Sequence, residues 1–411
     1  MSASSSLFKI TIDTLSKLLQ PYRSYDNTSL DKTAIASYVL TWKLNSHHLL
    51  KAGVNYNEMF FDYRARYWDH TYLLYVDELK NKNNAGIFQS YIHWQFRISE
   101  NLALNTGIHY QNFLLNQTQA LEPRAGLRWE FTKKQALSFA FGKHSQTQPL
   151  IYYFYKEYDP TTGQTLNNNR NLGLTKSDHY VLGYDLNFAK NFRMKLEGYY
   201  QNIYNVPVFE YGRNSLSMLN AGNGLEGIEL ADSLKNTGTG FNYGGEFTIE
   251  RFFSKGFYFL TDVSVYQSKY KGNDGVERNT AFAGGYVFNT LGGLEIPLGK
   301  KNKILGFDFK VTLAGGNRHT PIDEAASTQL HYAVRIDSLA WSKQFTNYQK
   351  IDFKVSFKLN CKRCTQTFFM HIENILNHQN ILQEVWDTKE SMIKDDYQLG
   401  LFPYAGYRIE F

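Results

Sequence analysis

The sequence predicts an all-β protein, a transmembrane antiparallel up-and-down β-barrel of about 15–16 strands without a plug domain. Three observations predict this fold. Apolar and polar residues alternate along many segments, short turns alternate with long polar connections, and tryptophans recur at one place along the strands. Side chains on a strand point to opposite faces in turn, so this alternation gives each strand one apolar and one polar face.

The composition permits a large barrel and excludes helical membrane spans. The chain has 411 residues, with 30 Tyr, 30 Phe and only 8 Pro. Aromatic residues favour paired strands, whereas proline removes a hydrogen-bond donor from the strand ladder. The mean hydropathy is negative and no long uninterrupted apolar run occurs, which excludes transmembrane helices. The 44 basic and 38 acidic residues are interspersed without a basic block, so we expect no nucleic-acid binding.

The clearest hairpin is predicted at residues 180–205. Lys190, Asn191 and Phe192 form a short turn between two runs of about ten residues, the length that a tilted strand needs to cross a bilayer. One face of these runs is apolar, and its members are Leu182, Tyr184, Leu186, Phe188, Met194, Leu196 and Tyr200. The residues between them are mostly polar or charged, which predicts a membrane-facing side and an inner side.

The other segments repeat this pattern in order. Residues 1–32 are predicted as an N-terminal segment with one strand, at 7–12, plus a loop, and residues 33–411 as the C-terminal portion of an outer-membrane β-barrel. Residues 64–85 and 147–176 are predicted as long connections. Further strands are predicted at 38–44, 49–63, 92–98, 102–115, 127–131, 247–253, 257–270, 283–298, 304–314, 351–359, 367–375 and 403–411.

Three tryptophans indicate a membrane interface. Trp42, Trp94 and Trp129 lie on the apolar face, each a few residues before a short turn. Equal distances from the turns would place them at one height, as an aromatic girdle against outer-membrane lipid. The predicted location is therefore the bacterial outer membrane.

The long connections contain the candidate ligand-binding residues. Tyr152, Tyr153 and Tyr155 form an aromatic cluster that we expect to be exposed, and Trp341 lies in another loop. Exposed aromatic rings could stack on a sugar or an aromatic ligand, but ordinary loop packing is the favoured alternative.

No chemical motif predicts a catalytic residue, a metal site or a cofactor. The two cysteines, Cys361 and Cys364, lie in a predicted turn and are too few for a four-ligand zinc site. In an oxidising compartment they could form a disulfide, whose short loop would add little stability. An incidental turn feature is the favoured interpretation.

The chain ends on an aromatic residue, with Tyr407, Ile409 and Phe411 on one face of the last predicted strand. This pattern looks like the terminal signal that outer-membrane barrels present to the barrel assembly machinery. An ordinary last strand would explain the alternation, but not the terminal Phe.

Several short stretches carry a family resemblance, and their order adds to its specificity. They are residues 199–201 (YYQ), 244–246 (GGE), 268–270 (SKY), 278–280 (RNT), 286–289 (YVFN), 315–321 (GGNRHTP) and 373–377 (ENILN). Over most of residues 120–411 the chain resembles the C-terminal half of the barrel of TonB-dependent outer-membrane receptors. The resemblance implies active uptake of a scarce nutrient ligand, powered from the inner membrane through a periplasmic linker protein.

The sequence departs from that family in its N-terminal part. Family barrels have about 22 strands around a plug domain, and the plug, the TonB-coupling motif, the signal peptide and the first strands have no counterpart. We therefore expect a fragment whose plug and coupling part come from a missing N-terminal region or from another chain. The alternative is a smaller passive porin of about sixteen strands. An enzyme is not predicted, because no Ser/His/acid set falls on adjacent strands.

Overall fold

The computed structural model describes residues 2–15, 21–69, 74–159, 164–212, 214–223, 233–299 and 302–411. Sixteen long strands and the three-residue strand Glu277–Asn279 form one antiparallel sheet, which confirms the predicted all-β barrel class and its strand number. The long strands are β1 Ser2–Leu15, β2 Pro21–Lys43, β3 His48–Asp69, β4 Leu74–Arg97, β5 Leu102–Phe113, β6 Thr118–Thr132, β7 Gln135–Gln146, β8 Thr175–Ala189, β9 Phe192–Phe209, β10 Leu234–Ser254, β11 Phe257–Lys271, β12 Tyr286–Leu298, β13 Lys303–Ala314, β14 Tyr348–Asn360, β15 Thr365–Glu373 and β16 Phe402–Glu410.

The strands pair in chain order, each with its neighbours in the sequence, as in an up-and-down meander. The predicted hairpin at 180–205 is β8 paired with β9, and Tyr180 lies directly opposite Tyr200. Asn191 in its turn has φ 69°, a left-handed conformation that asparagine tolerates better than most residues. The local turn chemistry and the alternation therefore agree on this hairpin.

The first third of the sheet differs from the prediction. Residues 64–85 are not a long connection, because β3 continues to Asp69 and β4 begins at Leu74. These strands are 22 and 24 residues long, which exceeds the length needed to cross a bilayer. The predicted boundary between residues 32 and 33 falls inside β2, and the predicted strand at 7–12 lies within β1, so the residues before the boundary share the sheet with those after it.

Short turns join the strands at one end of the sheet, the turn end, and the longest connections all lie at the other, the loop end. The connections at the loop end contain the helices α1, Leu150–Phe154, and α2, Glu324–Leu330. They also contain the 3-10 helices Asn168–Asn171, Met218–Asn223 and Asp337–Leu339, and three small strand pairs, Glu157–Asp159 with Gln164–Leu166, Arg318–His319 with Lys343–Gln344, and Ile381–Asp387 with Met392–Tyr397.

Neither helix in the described ranges is long or apolar enough to cross a membrane. The same ranges contain no separate plug domain.

The sheet has an apolar outer face and a polar inner face. Leu182, Val265 and Met370 are representative of the outer face, since each is more than half exposed although fully apolar. Residues that point to the opposite side of the sheet, such as Asp185 on β8 and Asp308 on β13, take part in ion pairs on the inner face. An apolar surface that faces outward is the arrangement that a surrounding bilayer requires.

Candidate functional site

The inner face carries a hydrogen-bonded cluster centred on Glu122 of β6, which is 2% exposed. Its carboxylate accepts hydrogen bonds from Nη2 of Arg124 and from Oγ of Ser145, both at 2.6 Å. The same carboxylate accepts from Nε2 of Gln111 at 3.1 Å and lies 3.0 Å from Nδ1 of His109. Four partners from three strands therefore satisfy this buried charge within the wall of the sheet.

The cluster continues across the next strands. The rings of His144 and His179 lie 4.5 Å apart, centroid to centroid. Nε2 of Gln201 lies 2.6 Å from Nε2 of His179, and Oε1 of Gln201 accepts a hydrogen bond from Nδ2 of Asn242 at 2.7 Å. A continuous polar band thus extends from β5 to β10 on the inner face. The band was not predicted from the sequence, although the alternation does place His144, His179, Gln201 and Asn242 on one face of the sheet.

Closer to the turn end, charged residues of the inner face neutralise one another. Asp185 is 4% exposed and accepts from Nη1 of Arg128 at 2.8 Å and from Nη2 of Arg193 at 2.6 Å. Arg193 also contacts Glu250 at 3.3 Å. Side chains of neighbouring strands therefore form ion pairs across the sheet, and these pairs fix the relative positions of the strands.

A second set of inner charges lies on β11 to β14. Nζ of Lys354 is 3.2 Å from the carboxylate of Asp308, which also accepts a hydrogen bond from the hydroxyl of Tyr258 at 2.9 Å. Lys358 pairs with Glu295 at 3.2 Å. These contacts make the wall polar yet largely charge-balanced.

At the loop end, Tyr152 and Tyr153 are buried rather than exposed, so that part of the prediction is wrong. Both lie on α1 and are at most 2% exposed, and the ring of Tyr153 packs on Phe113 of β5 at a centroid distance of 4.9 Å. Burial raises the pKa of both tyrosines to about 12. Tyr155, just after the helix, is half-buried. The rings fill space between loop and sheet, and their role as ligand contacts stays a prediction.

Trp341 lies in a different buried cluster, with Tyr270, Ala281 and Ala340. Its backbone has φ 55° and its N–H donates to Oγ1 of Thr320 at 3.2 Å. The structure therefore does not bring the four candidate ligand-binding residues together. Tyr152 and Tyr153 belong to one buried cluster and Trp341 to another.

The two loops that follow β13 and β15 are joined at His319. Its ring stacks on Phe345 with centroids 4.0 Å apart, and its Nε2 lies 3.2 Å from Oε1 of Glu384. Burial lowers the pKa of His319, and this effect exceeds the opposing influence of Glu384. His319 is therefore mainly neutral at neutral pH.

Two of the three predicted girdle tryptophans are exposed on the outer face. Trp42 is 60% exposed and Trp129 is 50% exposed. The half-buried Trp94 stacks on Phe96 at 5.2 Å, and its Nε1 donates to Nδ1 of His48 at 3.2 Å. Each tryptophan lies within three residues of the turn end of its strand. Their common height in a membrane stays a prediction.

The three residues of the predicted assembly signal share the outer face at the end of the chain. Tyr407 and Ile409 on β16 are 53% and 40% exposed, and Phe411 is 97% exposed. The ring of Tyr407 packs on Phe368 of β15 at 4.8 Å. Recognition of this face by the assembly machinery stays a prediction.

The cysteines lie in the turn between β14 and β15, as expected. Cys361 is exposed, Cys364 is half-buried, and both thiols are free. A hydrogen bond between the two thiols raises the pKa of Cys361. In the described part of the chain, no three His, Cys, Asp or Glu side chains are grouped so that they could hold a metal ion.

Comparison with known proteins places the chain within a receptor fold. The family model described as TonB dependent receptor-like, beta-barrel matches residues 3–375. No curated protein sequence matches the chain. Among solved structures, the copper transporter OprC is 11% identical with a TM-score of 0.62, and the match covers 99% of this chain and 60% of that one.

Two further solved structures share the same fold. The iron transporter FrpB of Neisseria meningitidis is 14% identical with a TM-score of 0.60, covering 93% of this chain and 55% of that one. The ferric yersiniabactin uptake receptor FyuA of Yersinia pestis is 11% identical with a TM-score of 0.62, covering 99% and 57%. The chain thus spans less than two thirds of the length of each structure, and at these identities the likeness establishes the fold.

Proposed function

Because the chain belongs to the TonB-dependent receptor-like β-barrel family, as its family match over residues 3–375 shows, we propose that it takes part in TonB-dependent uptake of a nutrient ligand across the outer membrane. Receptors of this family work together with TonB and a plug domain. We propose that this barrel works with such a plug and coupling part, supplied by an N-terminal region or by another chain. The observation that carries the proposal is the family match.

The arrangement of the barrel supports a route for the ligand from the loop end to the turn end. Packed loops with Tyr152, Tyr153 and Trp341 lie where a ligand would first arrive, and the half-buried Tyr155 is the most accessible of the predicted contacts there. Below these loops, the band around Glu122 presents amides, imidazoles and hydroxyls along the inner face. Hydrogen-bonding groups of this kind suit a polar solute.

The membrane and assembly partners are part of the same proposal. Trp42, Trp94 and Trp129 would contact lipid at the turn-end interface, as aromatic girdles do. The barrel assembly machinery would recognise Tyr407, Ile409 and Phe411 before the chain inserts into the membrane.

Energy dependence distinguishes active uptake from the passive porin. In cells that express the chain in its natural setting, we expect accumulation of its ligand class to stop when TonB is deleted or the proton gradient is dissipated. Candidate radiolabelled solutes are metal chelates, cobalamin, glycans and peptides. Chain-dependent accumulation that persists without TonB, together with stable conductance of the purified chain in planar bilayers, would favour the porin.

A further inference from the structure

The polar band on the inner face contains a recess around Arg124. The pairing of β4 to β8 sets five positions in one row across the sheet, namely His93, Gly107, Arg124, Gly142 and His179. Both neighbours of Arg124 in this row are glycines. No side chain lies close over Gly107, whereas the imidazole of His144 lies over Gly142, where a Cβ atom would be 2.8 Å from its Nε2. The resulting concavity has a volume of about 720 Å³. The residues of this row, His109 and His144 line it, together with apolar side chains that include Tyr91, Ala140 and Val181.

The donors of Arg124 are only partly used. One guanidinium nitrogen, Nη2, donates to Glu122 at 2.6 Å, and the structure gives the other guanidinium nitrogens no hydrogen-bond partner within the described residues. An arginine carries five N–H donors in a planar fork, which matches the oxygens of a carboxylate or a phosphate. The Arg124 side chain is 47% exposed, whereas that of Glu122 is 3% exposed. The guanidinium of Arg124 is therefore accessible from the recess, whereas the carboxylate of Glu122 is not.

The imidazoles of the recess add further hydrogen-bonding capacity. His93 and His144 have no hydrogen-bond partner within the described part of the chain, and His144 makes a ring contact with His179. Every imidazole has at least one N–H donor in either charge state. By contrast, the acceptor capacity of Glu122 is taken up by its four partners. Donors thus outnumber free acceptors around the concavity.

We propose that this recess binds an anionic oxygen group of the transported ligand, a carboxylate or a phosphate, with Arg124 as its main contact. The inference deepens the proposed function and rests on it for the source of the anion. An acidic side chain of a protein segment that fills the barrel would be a different occupant. This occupant is disfavoured for two reasons. The recess is large enough for a whole small anion, and it carries polar groups on several sides, whereas a single acidic side chain would need only one guanidinium group.

Titration calorimetry on the purified full chain in dodecyl maltoside micelles tests the recess directly. The probes are citrate, inorganic phosphate and glucose, at constant ionic strength. We expect citrate, phosphate or both to bind while glucose does not, and the probe that binds identifies the anion class. We expect Arg124→Gln to weaken binding by about tenfold or more, because a hydrogen bond to a charged group is lost.

Arg128→Gln is the matched control, since Arg128 lies on the same face of the same strand but is held by Asp185 and Glu130. It should leave the affinity within about twofold. His93→Ala is a second test that breaks no hydrogen bond of the Glu122 cluster, and it should also weaken anion binding. Absence of binding by both anions, or equal affinity of the wild type and both recess variants, would overturn the proposal.

The outcome also separates this inference from the proposed function. If the recess variants lose anion binding but the intact system shows no TonB-dependent uptake, the proposed uptake function is refuted and the anion site in the recess stands. Uptake without anion binding would refute the recess alone.

Discussion

The ring of Tyr91 on β4 occupies the space beside Gly53 on β3, its direct cross-strand partner. A Cβ atom on Gly53 would lie 2.5 Å from Cε1 of that ring, so no other residue fits there without displacing it. An aromatic ring laid over a glycine covers the exposed backbone of the neighbouring strand and pins the strand register. The same relationship recurs on the inner face between Tyr199 and Gly244 and between Tyr258 and Gly293.

We therefore expect Gly53→Ala to destabilise the barrel by about 1–3 kcal/mol, because the added methyl group must push the Tyr91 ring out of its contact. Guanidinium unfolding in lipid vesicles, followed by tryptophan fluorescence, measures this change. The matched control is Gly198→Ala on β9, where a Cβ would meet nothing within 4 Å. That change should stay within about 0.5 kcal/mol, and equal effects of the two substitutions would contradict the role of the ring.

The bridging carboxylate of Asp185 gives a second prediction. Asp185→Asn removes a nearly buried charge that holds Arg128 and Arg193 together, and should cost about 1–3 kcal/mol in the same unfolding assay. Glu410→Gln breaks the exposed pair with Arg408, whose members are 50% and 68% exposed, and should cost about 0.5 kcal/mol or less. A smaller loss of unfolding free energy for Asp185→Asn than for Glu410→Gln would show that the ion pairs of Asp185 do not stabilise the sheet.

The hairpins could be predicted from the sequence because their signals are local. At residues 180–205 the alternation, the turn and the strand length all lie within one continuous stretch, and β8 and β9 form there. The extensions beyond the bilayer were missed for the opposite reason. The start of β10 at Leu234 and the end of β3 at Asp69 were not recognised from apolar alternation. Leu234 is buried there by loop residues that are distant in the sequence, such as Tyr152 and Leu172, so its burial has no local signal.

The functional surfaces could not be predicted because their contacts are distant in sequence. Tyr153 is buried by Phe113 of β5, and the ion pair of Arg128 with Asp185 joins strands β6 and β8. The recess around Arg124 exists only because the pairing sets Gly107 and Gly142 beside it. One residue of register shift would place those glycines elsewhere.

The loop contact at His319 predicts a pH dependence. Its pKa is lowered by burial, so the open loop binds protons more readily than the closed loop, and closure contributes stability above the ordinary value of about 6.5. That stability is lost as the pH falls through 6.5 toward the lowered pKa. Hydrogen exchange of residues 317–346 should therefore become faster between about pH 7.5 and 5.5 after correction for intrinsic rates.

The variant His319→Gln serves as the control for that measurement. Its loop should exchange with little dependence on pH in this range, because glutamine does not titrate. A pH response of the same size in the variant would show that another group controls the opening of the loop.

The cysteine turn should be dispensable for stability. Replacing both Cys361 and Cys364 with Ser should change the unfolding free energy by less than about 0.5 kcal/mol, because the thiols are free and lie at or near the surface. Alkylation with a maleimide before and after reduction would report their redox state alongside. A loss of folded protein in the double variant would instead assign this turn a structural role.

We predict that the apolar face of this sheet meets lipid and that Trp42, Trp94 and Trp129 lie at one height in the membrane. Fluorescence quenching of single-tryptophan variants in vesicles of lipids brominated at defined depths measures that height directly. We predict that all three are quenched most strongly at the same shallow depth, whereas Trp341 in the loop cluster is not quenched by any of these lipids. Three different depths, or no quenching of Trp42 and Trp129, would contradict a membrane barrel built in this way.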